Sequence, residues 1–222
     1  IAWRKASLDQ LRRSFLGPLT VGGLATALLL LLGVRKAYAL LVFGLAIFVM
    51  ATIVEEFWRG VRARRAKHGE GIVPAFVQLV LRNPRRYGGY LVHAGVLLFF
   101  VGIAASSAYK SEGEALLTIG QTMHAGPYTL RLDKVDQVRI ERATGIRVTM
   151  TAFQGKKEIA TLRPEKLTYR TGIREEEQPT TNVAIRSNWK DDLYVVPAAY
   201  YPEKGQVHVK AYVNPMVSWI WV

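Results

Sequence analysis

The sequence predicts a polytopic α-helical membrane protein that carries an extracytoplasmic, mainly antiparallel β domain. Three uncharged segments of 21, 18 and 23 residues, at 14–34, 37–54 and 87–109, lie in the first half of the chain. A helix needs about 20 apolar residues to cross the hydrocarbon core of a bilayer, so each segment predicts one membrane-spanning helix. The second half alternates apolar and polar residues instead, which predicts half-buried strands.

The distribution of charge supports this fold class. The chain has 222 residues and a net charge of +13, and ten of those surplus basic charges fall within residues 1–109. A basic, aromatic-rich chain can indicate nucleic-acid binding, but here the surplus flanks the apolar segments. We therefore expect the lipid bilayer as a partner and no nucleic acid. The absence of cysteine excludes disulfides, Cys-ligated zinc, iron–sulfur clusters and thiol catalysis.

The basic residues also predict the topology. Residues 59–86 contain eight Lys and Arg against one acidic residue, Glu70, and the positive-inside rule places such a loop in the cytoplasm. Because the chain has no initiator Met and ends in an apolar run opened by Pro215, we expect a fragment of a larger polytopic protein. The predicted segments are an N-terminal segment with two transmembrane helices (1–58), a basic cytoplasmic loop (59–86), a third transmembrane helix (87–109), a periplasmic β domain (110–213) and the start of a further transmembrane helix (214–222).

Period-two alternation is clearest at three places in the second half, 128–133, 146–151 and 206–213. One polar and one apolar face per segment predicts antiparallel strands packed on a core. Turns are predicted at the glycines that interrupt the pattern, namely Gly126, Gly145, Gly155, Gly172 and Gly205.

Among the four histidines, His93 is the candidate functional residue. It follows Arg86 by seven residues, which places it roughly 10 Å along a helix inside an apolar segment. An ionisable residue at that depth indicates a ligand or a proton relay, and an interhelical hydrogen bond is the alternative. His68 in the basic loop, His124 in a predicted loop and His208 on the polar face of a strand are expected to be surface residues.

The glycines near His93 suggest what it binds. Gly89 lies one turn earlier on the same helix face and leaves room there for a flat macrocycle. A neutral imidazole in an apolar pocket is the usual axial ligand of haem iron. Gly88, Gly95 and Gly102 recur every seven residues, and such a stripe is typical of close helix packing.

The residues around His93 also resemble a known family. The resemblance lies in three stretches: the opening Trp3-Arg4; the run Asn83-Pro84-Arg85-Arg86-Tyr87-Gly88-Gly89-Tyr90-Leu91-Val92-His93-Ala94-Gly95, which continues through Gly102-Ile103-Ala104; and Asp192-Leu193-Tyr194 with the ending Tyr212-Val213-Asn214-Pro215-Met216-Val217-Ser218-Trp219-Ile220-Trp221. This pattern is similar to the cytochrome c-type biogenesis haem lyases of the CcmF/NrfE family. The resemblance covers essentially the whole chain and corresponds to roughly the last third of a member.

The resemblance implies a function in cytochrome c maturation by system I. Family members are haem lyases of the bacterial inner membrane. They receive haem in transit from the haem chaperone CcmE and attach it to the Cys-x-x-Cys-His motif of apocytochrome c, together with the thiol-reducing subunit CcmH/CcmI. They also hold a haem b within the membrane. His93 matches the second axial ligand of that haem. Gly89 would leave space beside His93 for the porphyrin ring. The first ligand, the outer tryptophan-rich motif and two outer histidines belong to the upstream part of the protein.

Two other functions remain open from the residues. A membrane permease or haem exporter with a periplasmic domain would need no iron ligand at His93. A quinol-oxidising cytochrome b-type subunit would need two pairs of intramembrane histidines. The outer segment 110–213 contains no motif that pairs a nucleophile with a base. We therefore predict no catalytic residues there and a docking or scaffolding role, within a protein that acts as part of a holocytochrome c synthase.

Overall fold

The computed structural model describes residues 8–171 and 176–221. The chain divides into a helical unit, which ends at Ala108 and resumes at Trp219, and a β unit over Tyr109–Ser218. Some predicted features lie outside the described residues, namely the first seven residues with Trp3, Arg4 and Lys5, the turn at Gly172, and Val222.

Four helices form the first unit: α1 (Leu8–Leu31), α2 (Ala37–His68), α3 (Ile72–Arg82) and α4 (Pro84–Tyr109). Three helical segments within them are long and apolar enough to cross a membrane, Ser14–Leu31, Ala37–His68 and Pro84–Tyr109. The three predicted spans are therefore confirmed as helices. Most residues of these spans are not buried, and many of their large apolar side chains are exposed, among them Leu24, Leu41 and Val92, as expected for helices whose solvent is lipid.

The prediction of a loop over 59–86 needs a correction. Helix α2 continues to His68, α3 occupies most of the remainder, and α4 begins at Pro84. The sequence after Val54 is rich in Arg, Ala and Lys, which favour helix, and no turn signal appears before Gly69. Gly69 then ends α2 in the left-handed conformation, with a φ of 66°. The basic residues therefore extend a helix beyond the apolar segment rather than forming an irregular loop.

The β unit contains ten strands in two antiparallel sheets. The strands are β1 (Ser111–Leu117), β2 (Thr122–Ala125), β3 (Tyr128–Ile140), β4 (Ala143–Gln154), β5 (Lys157–Leu162), β6 (Glu165–Thr171), β7 (Glu176–Asn182), β8 (Ala184–Ser187), β9 (Asp191–Tyr201) and β10 (Gln206–Pro215). The first sheet has the order β1-β10-β9-β8, and the second has the order β2-β3-β4-β6-β7, with β5 also paired to β4.

The two sheets enclose one apolar core, and the predicted alternation is confirmed. Leu130 and Leu132 of β3 and Val148 and Met150 of β4 are buried, as are Val207, Val209, Ala211 and Val213 of β10. Their sequence neighbours are more exposed, except Thr151, which is buried with its hydroxyl donating to Asp133. Each buried Leu, Val or Met contributes about 1.5–3 kcal/mol through removal of apolar surface from water. The fold is thus a β-sandwich.

Three local predictions about this unit were wrong. His124 lies in strand β2 and not in a loop. Gly145 lies inside β4 and forms no turn, because β6 approaches β4 too closely there for a side chain. Pro215 ends β10 instead of opening a helix, and a short 3-10 helix follows at Val217–Trp221. The turns at Gly126, Gly155 and Gly205 are confirmed, each with a positive φ.

The close approach at Gly145 gives a stability prediction. A Cβ at Gly145 would overlap the carbonyl oxygen of Lys166 and lie 2.8 Å from the Cα of Leu167. Both are backbone atoms that cannot rotate away, so Gly145→Ala is expected to destabilise the sandwich by about 1–3 kcal/mol. Thermal unfolding and hydrogen exchange of β4 and β6 in the detergent-solubilised full-length protein measure the loss. Thr144→Ala, an exposed neighbour on the same strand, is the control, and equal stability of the two variants would contradict the packing argument.

The same two strands carry a pH-dependent contact. Glu165 accepts hydrogen bonds from Arg147 (Nε to Oε1, 2.6 Å) and Asn182 (Nδ2 to Oε2, 3.2 Å), and the bond from Arg147 holds the pKa of Glu165 below its usual value. Because the pKa of Glu165 is lower in the folded than in the unfolded protein, its ionised carboxylate stabilises the folded state at pH values above the ordinary pKa of glutamate. This stabilisation is lost as the pH falls through the pKa of Glu165 in the folded protein.

Glu165→Gln should therefore lower the stability near pH 7 by about 0.5–1 kcal/mol, and the difference from wild type should vanish at acidic pH. Unfolding temperatures measured across pH test this dependence. Glu158→Gln changes an exposed carboxylate on strand β5 and is expected to show no such trend. A Glu165→Gln deficit that persists unchanged at low pH would contradict the electrostatic origin.

Candidate functional site

The local conformation of α4 determines which nitrogen of His93 is available for binding. His93 Nδ1 lies 2.7 Å from the carbonyl oxygen of Gly89, one helical turn earlier. A carbonyl oxygen can only accept a hydrogen bond, so Nδ1 carries the proton and donates it. The other ring nitrogen, Nε2, then holds a lone pair and is free to bind a metal. Hydrogen bonding of one imidazole nitrogen to a carbonyl is the usual way in which proteins orient a histidine ligand.

His93 lines a cavity of about 580 Å³ within the helical unit. Its wall comes from α1, α2 and α4, and it falls within the range of about 300–1,000 Å³ that is typical of cofactor sites. The lining residues are Ser14 and Phe15 of α1, Val49, Thr52, Ile53, Glu56, Arg59 and Gly60 of α2, and Arg86, Tyr87, Tyr90 and His93 of α4. The middle of this wall is apolar and aromatic, which suits a flat apolar ligand.

One end of the cavity is charged. Glu56 Oε2 lies 2.9 Å from an Arg86 guanidinium nitrogen, and Glu56 Oε1 lies 3.2 Å from one of Arg59. Arg59 also reaches Glu55 at 2.8 Å. The Arg59 and Arg86 side chains remain 47% and 60% exposed, whereas Glu56 is 22% exposed. The two guanidinium groups therefore keep donors available beyond those that the carboxylate uses.

An aromatic contact fixes α4 against α2 beside the cavity. The Tyr87 ring lies 5.0 Å from the Phe57 ring, and Tyr87 is buried with 4% exposure. This packing requires Gly60, because a Cβ there would lie 2.5 Å from the Tyr87 hydroxyl and 2.7 Å from Leu79. Tyr90, one turn further along α4, packs on the same Phe57 ring at 6.0 Å. The cavity wall below His93 is thus rigid on two helices.

Gly89 faces open space. A Cβ at Gly89 would meet no atom within 4 Å, and the same holds for Gly88 and Gly95. Of the predicted packing stripe, only Gly102 is buried, whereas Gly88 and Gly95 face open space and contact no other helix in the described part of the chain. Gly89 has a second role that the sequence pattern did not predict, since its carbonyl orients the His93 ring.

The other histidines occupy separate surfaces. His68 lies in the last turn of α2. His124 Nδ1 lies 3.1 Å from the Thr129 hydroxyl, and His208 Nε2 lies 3.7 Å from a Glu114 oxygen on the outer face of the first sheet. Over the residues that the structure describes, no group of three or more His, Asp or Glu side chains has the arrangement of a metal site.

Sequence reasoning located His93 and Gly89 but missed the residues that complete the cavity. Glu56, Arg59 and Gly60 lie on α2 and reach the site only through tertiary packing. A signal was present in the pair Glu55-Glu56, two acidic residues directly after an apolar segment in an otherwise basic region. The sequence placed this pair at the membrane boundary, but it gave no indication that Glu56 pairs with Arg59 and Arg86.

These features define a class: a protein with three candidate membrane-spanning helices and a histidine on a cavity among its helices, followed by an antiparallel β-sandwich. Residues 108–215 match the family model described as the CcmF C-terminal beta-sandwich. The chain is 31% identical over 222 residues to the cytochrome c-type biogenesis protein ccl1 of Rhodobacter capsulatus, covering 99% of this chain and 31% of that protein. It is 30% identical over 135 residues to CcmF of Pseudomonas aeruginosa, covering 61% of this chain and 20% of that protein.

A solved structure named Cytochrome c Heme Lyase CcmF has the same fold. The TM-score is 0.71 at 22% sequence identity, and the match covers 100% of this chain and 33% of that chain. The chain belongs to the CcmF family of cytochrome c-type biogenesis proteins, as a C-terminal part of such a protein. It spans about a third of the length of ccl1 and of the matched structure.

Proposed function

We propose that this chain forms one wall of an intramembrane haem b site in a haem lyase of cytochrome c maturation. The observation that carries the proposal is the hydrogen bond between His93 Nδ1 and the Gly89 carbonyl, which makes Nε2 the ring nitrogen available to a metal at a cavity with both apolar and charged lining. Family membership favours this function over the permease and the quinol-oxidising cytochrome b-type subunit.

The residues of the cavity fit a haem b. His93 supplies one axial nitrogen, and Gly89 keeps the helix face below it free of side chains. Phe15, Val49 and Ile53 provide apolar contact surface. Arg59 and Arg86 place guanidinium groups at the charged end of the cavity, where they would pair with the carboxylates of a porphyrin. A haem bound here supplies one-electron redox chemistry to the maturation reaction.

The described residues that line the cavity serve to bind and orient the haem. The Gly89 carbonyl holds the imidazole in the tautomer that presents Nε2. Glu56 keeps the two arginines in place by pairing with both. The Tyr87 and Phe57 rings fix α4 against α2 and so set the position of His93 along the cavity. The second axial ligand is proposed to come from the upstream part of the same protein.

We further propose the setting of this site. The protein lies in the bacterial inner membrane, with the basic end of α2 in the cytoplasm and the β-sandwich in the periplasm. Haem in transit arrives from the haem chaperone CcmE and is joined to the Cys-x-x-Cys-His motif of apocytochrome c, in contact with the thiol-reducing subunit CcmH/CcmI. The sandwich acts as a docking surface beside that reaction.

The direct test is His93→Ala in the full-length protein. Loss of the axial nitrogen should abolish or sharply reduce bound haem b, and added imidazole should restore it by filling the vacated position. The Soret absorbance and pyridine haemochrome content of the purified protein measure both effects. His68→Ala, which removes the histidine at the end of α2, should retain the wild-type haem content. Normal haem content in His93→Ala would refute the ligand assignment.

Gly89 gives a second, independent test. A leucine side chain at this position would occupy the space next to the imidazole that the porphyrin needs, so Gly89→Leu should lose haem while the protein stays inserted. Gly88→Leu adds the same side chain at a neighbouring position that is equally open, and it should keep its haem. If both variants lose stability and neither shows a selective loss of the Soret band, Gly89 serves helix packing alone.

The histidines of the sandwich test its proposed docking role. His124 contacts Thr129, and His208 faces Glu114, so neither is directed at a shared metal. Replacement of both by Ala should leave haem b content and cytochrome c maturation close to wild type, as measured by haem staining of c-type cytochromes in cells. Loss of maturation in a stably inserted double variant would show that one of these histidines handles haem.

A further inference from the structure

The turn between β8 and β9 exposes a tryptophan at one end of the first sheet. Trp189 is 69% exposed, and the Lys190 ammonium lies 5.1 Å from the centre of its ring. The register places this turn at the sheet end where β1 begins and β10 finishes, because Ser111 pairs with Val213 and Asp191 pairs with Pro215. A single exposed apolar side chain is ordinary on a protein surface, so the meaning of Trp189 depends on where this turn lies.

The turn is held firmly, so the exposure of Trp189 is not that of a loose loop tip. Asn188 N donates to the Asp191 carbonyl at 3.0 Å. The Asn188 side-chain oxygen accepts hydrogen bonds from the backbone of Lys190 at 2.7 Å and of Asp191 at 3.1 Å. The Asp191 carboxylate accepts one from the Tyr128 hydroxyl at 2.6 Å, which ties the turn to the second sheet.

The same turn is bonded to the segment that follows β10. Met216 N donates to the Lys190 carbonyl at 2.8 Å, and the Ser218 hydroxyl donates to the Asn188 carbonyl at 3.2 Å. Ser218 belongs to the apolar run Val217–Trp221. The turn is therefore fixed to the point at which the chain leaves the sandwich for an apolar, tryptophan-rich sequence.

Chain connectivity brings this end of the sheet close to the membrane. Helix α4, a candidate membrane span, ends at Tyr109, and β1 begins at Ser111. At about 3.3 Å per extended residue, the start of β1 lies within roughly 7 Å of the end of the span. Two strand spacings of about 4.8 Å each separate β1 from β9, next to the turn. Trp189 thus lies at the end of the first sheet whose strand β1 follows directly on the candidate span.

We propose that the Trp189-Lys190 turn is a membrane anchor of the sandwich. Indole rings prefer the headgroup region, where the apolar ring meets acyl chains and the N–H meets water. The Lys190 ammonium is placed to pair with lipid phosphates at the same depth. The anchor fixes the sandwich against rotation about its connections to α4 and to Val217–Trp221, and it does not depend on the haem assignment.

Fluorescence quenching in lipid nanodiscs tests the anchor with the full-length protein. The difference in emission between wild type and Trp189→Phe isolates the signal of Trp189. We expect this difference signal to be quenched by lipids brominated near the top of the acyl chain and to be protected from aqueous iodide. Phe retains an exposed aromatic ring, so the unfolding temperature should not change.

A matched control uses the opposite end of the same strand. Tyr201 is 46% exposed and ends β9, ten residues and about 33 Å from Asp191. The signal added by Tyr201→Trp should be quenched by iodide and not by brominated lipid. The proposal is overturned if the Trp189 signal is quenched by iodide instead, which indicates water contact. It is equally overturned if neither quencher acts, which indicates that protein covers the indole.

Discussion

The hydrogen bond between His93 Nδ1 and the Gly89 carbonyl is the interaction on which the site depends. This hydrogen bond selects the tautomer of a neutral imidazole in which Nδ1 carries the proton. The tautomer in turn determines whether Nε2 presents an N–H donor or a lone pair to the cavity. The alternative from the sequence is an interhelical hydrogen bond to Ser, Thr or a backbone carbonyl. With Nδ1 donating to the Gly89 carbonyl, a neutral ring can use Nε2 to bind a metal or to accept a hydrogen bond, and the metal-binding role is the one proposed above.

That bond positions a ligand only if α4 is itself held in place. Tyr87 packs on Phe57, and Gly60 permits this contact because it has no Cβ to strike the tyrosine hydroxyl. Glu56 adds an ion pair to Arg86 across the same helices, a partly exposed contact worth at most about 1 kcal/mol. The Tyr87–Phe57 contact and the Glu56–Arg86 ion pair are thus side-chain contacts that join α4 to α2, and the charged groups supply the polar part of the cavity lining.

The sequence predicted most of the fold and only part of the site. Membrane helices follow from the length of an uncharged apolar run and half-buried strands from period-two alternation, so 14–34 and 206–213 were assigned correctly. Gly145 was misassigned because its lack of a side chain serves the approach of β6, a contact distant in sequence. Residues 59–68 were predicted to be a loop because they are strongly basic, although their residue types favour a helix. His93 was found because an ionisable residue within an apolar segment is conspicuous, whereas Arg59 acquires a role only when α2 packs against α4.

The central claim is that Nε2 of His93 binds haem iron, and the most direct measurement is the spectrum and reduction potential of the full-length His93→Met variant. Methionine can occupy an axial position and raises the potential relative to a second histidine. The account predicts a haem that is still bound, with an altered low-spin spectrum and a more positive potential than wild type. A spectrum and potential identical to those of the wild type would contradict it, because the iron would then be indifferent to the side chain at position 93.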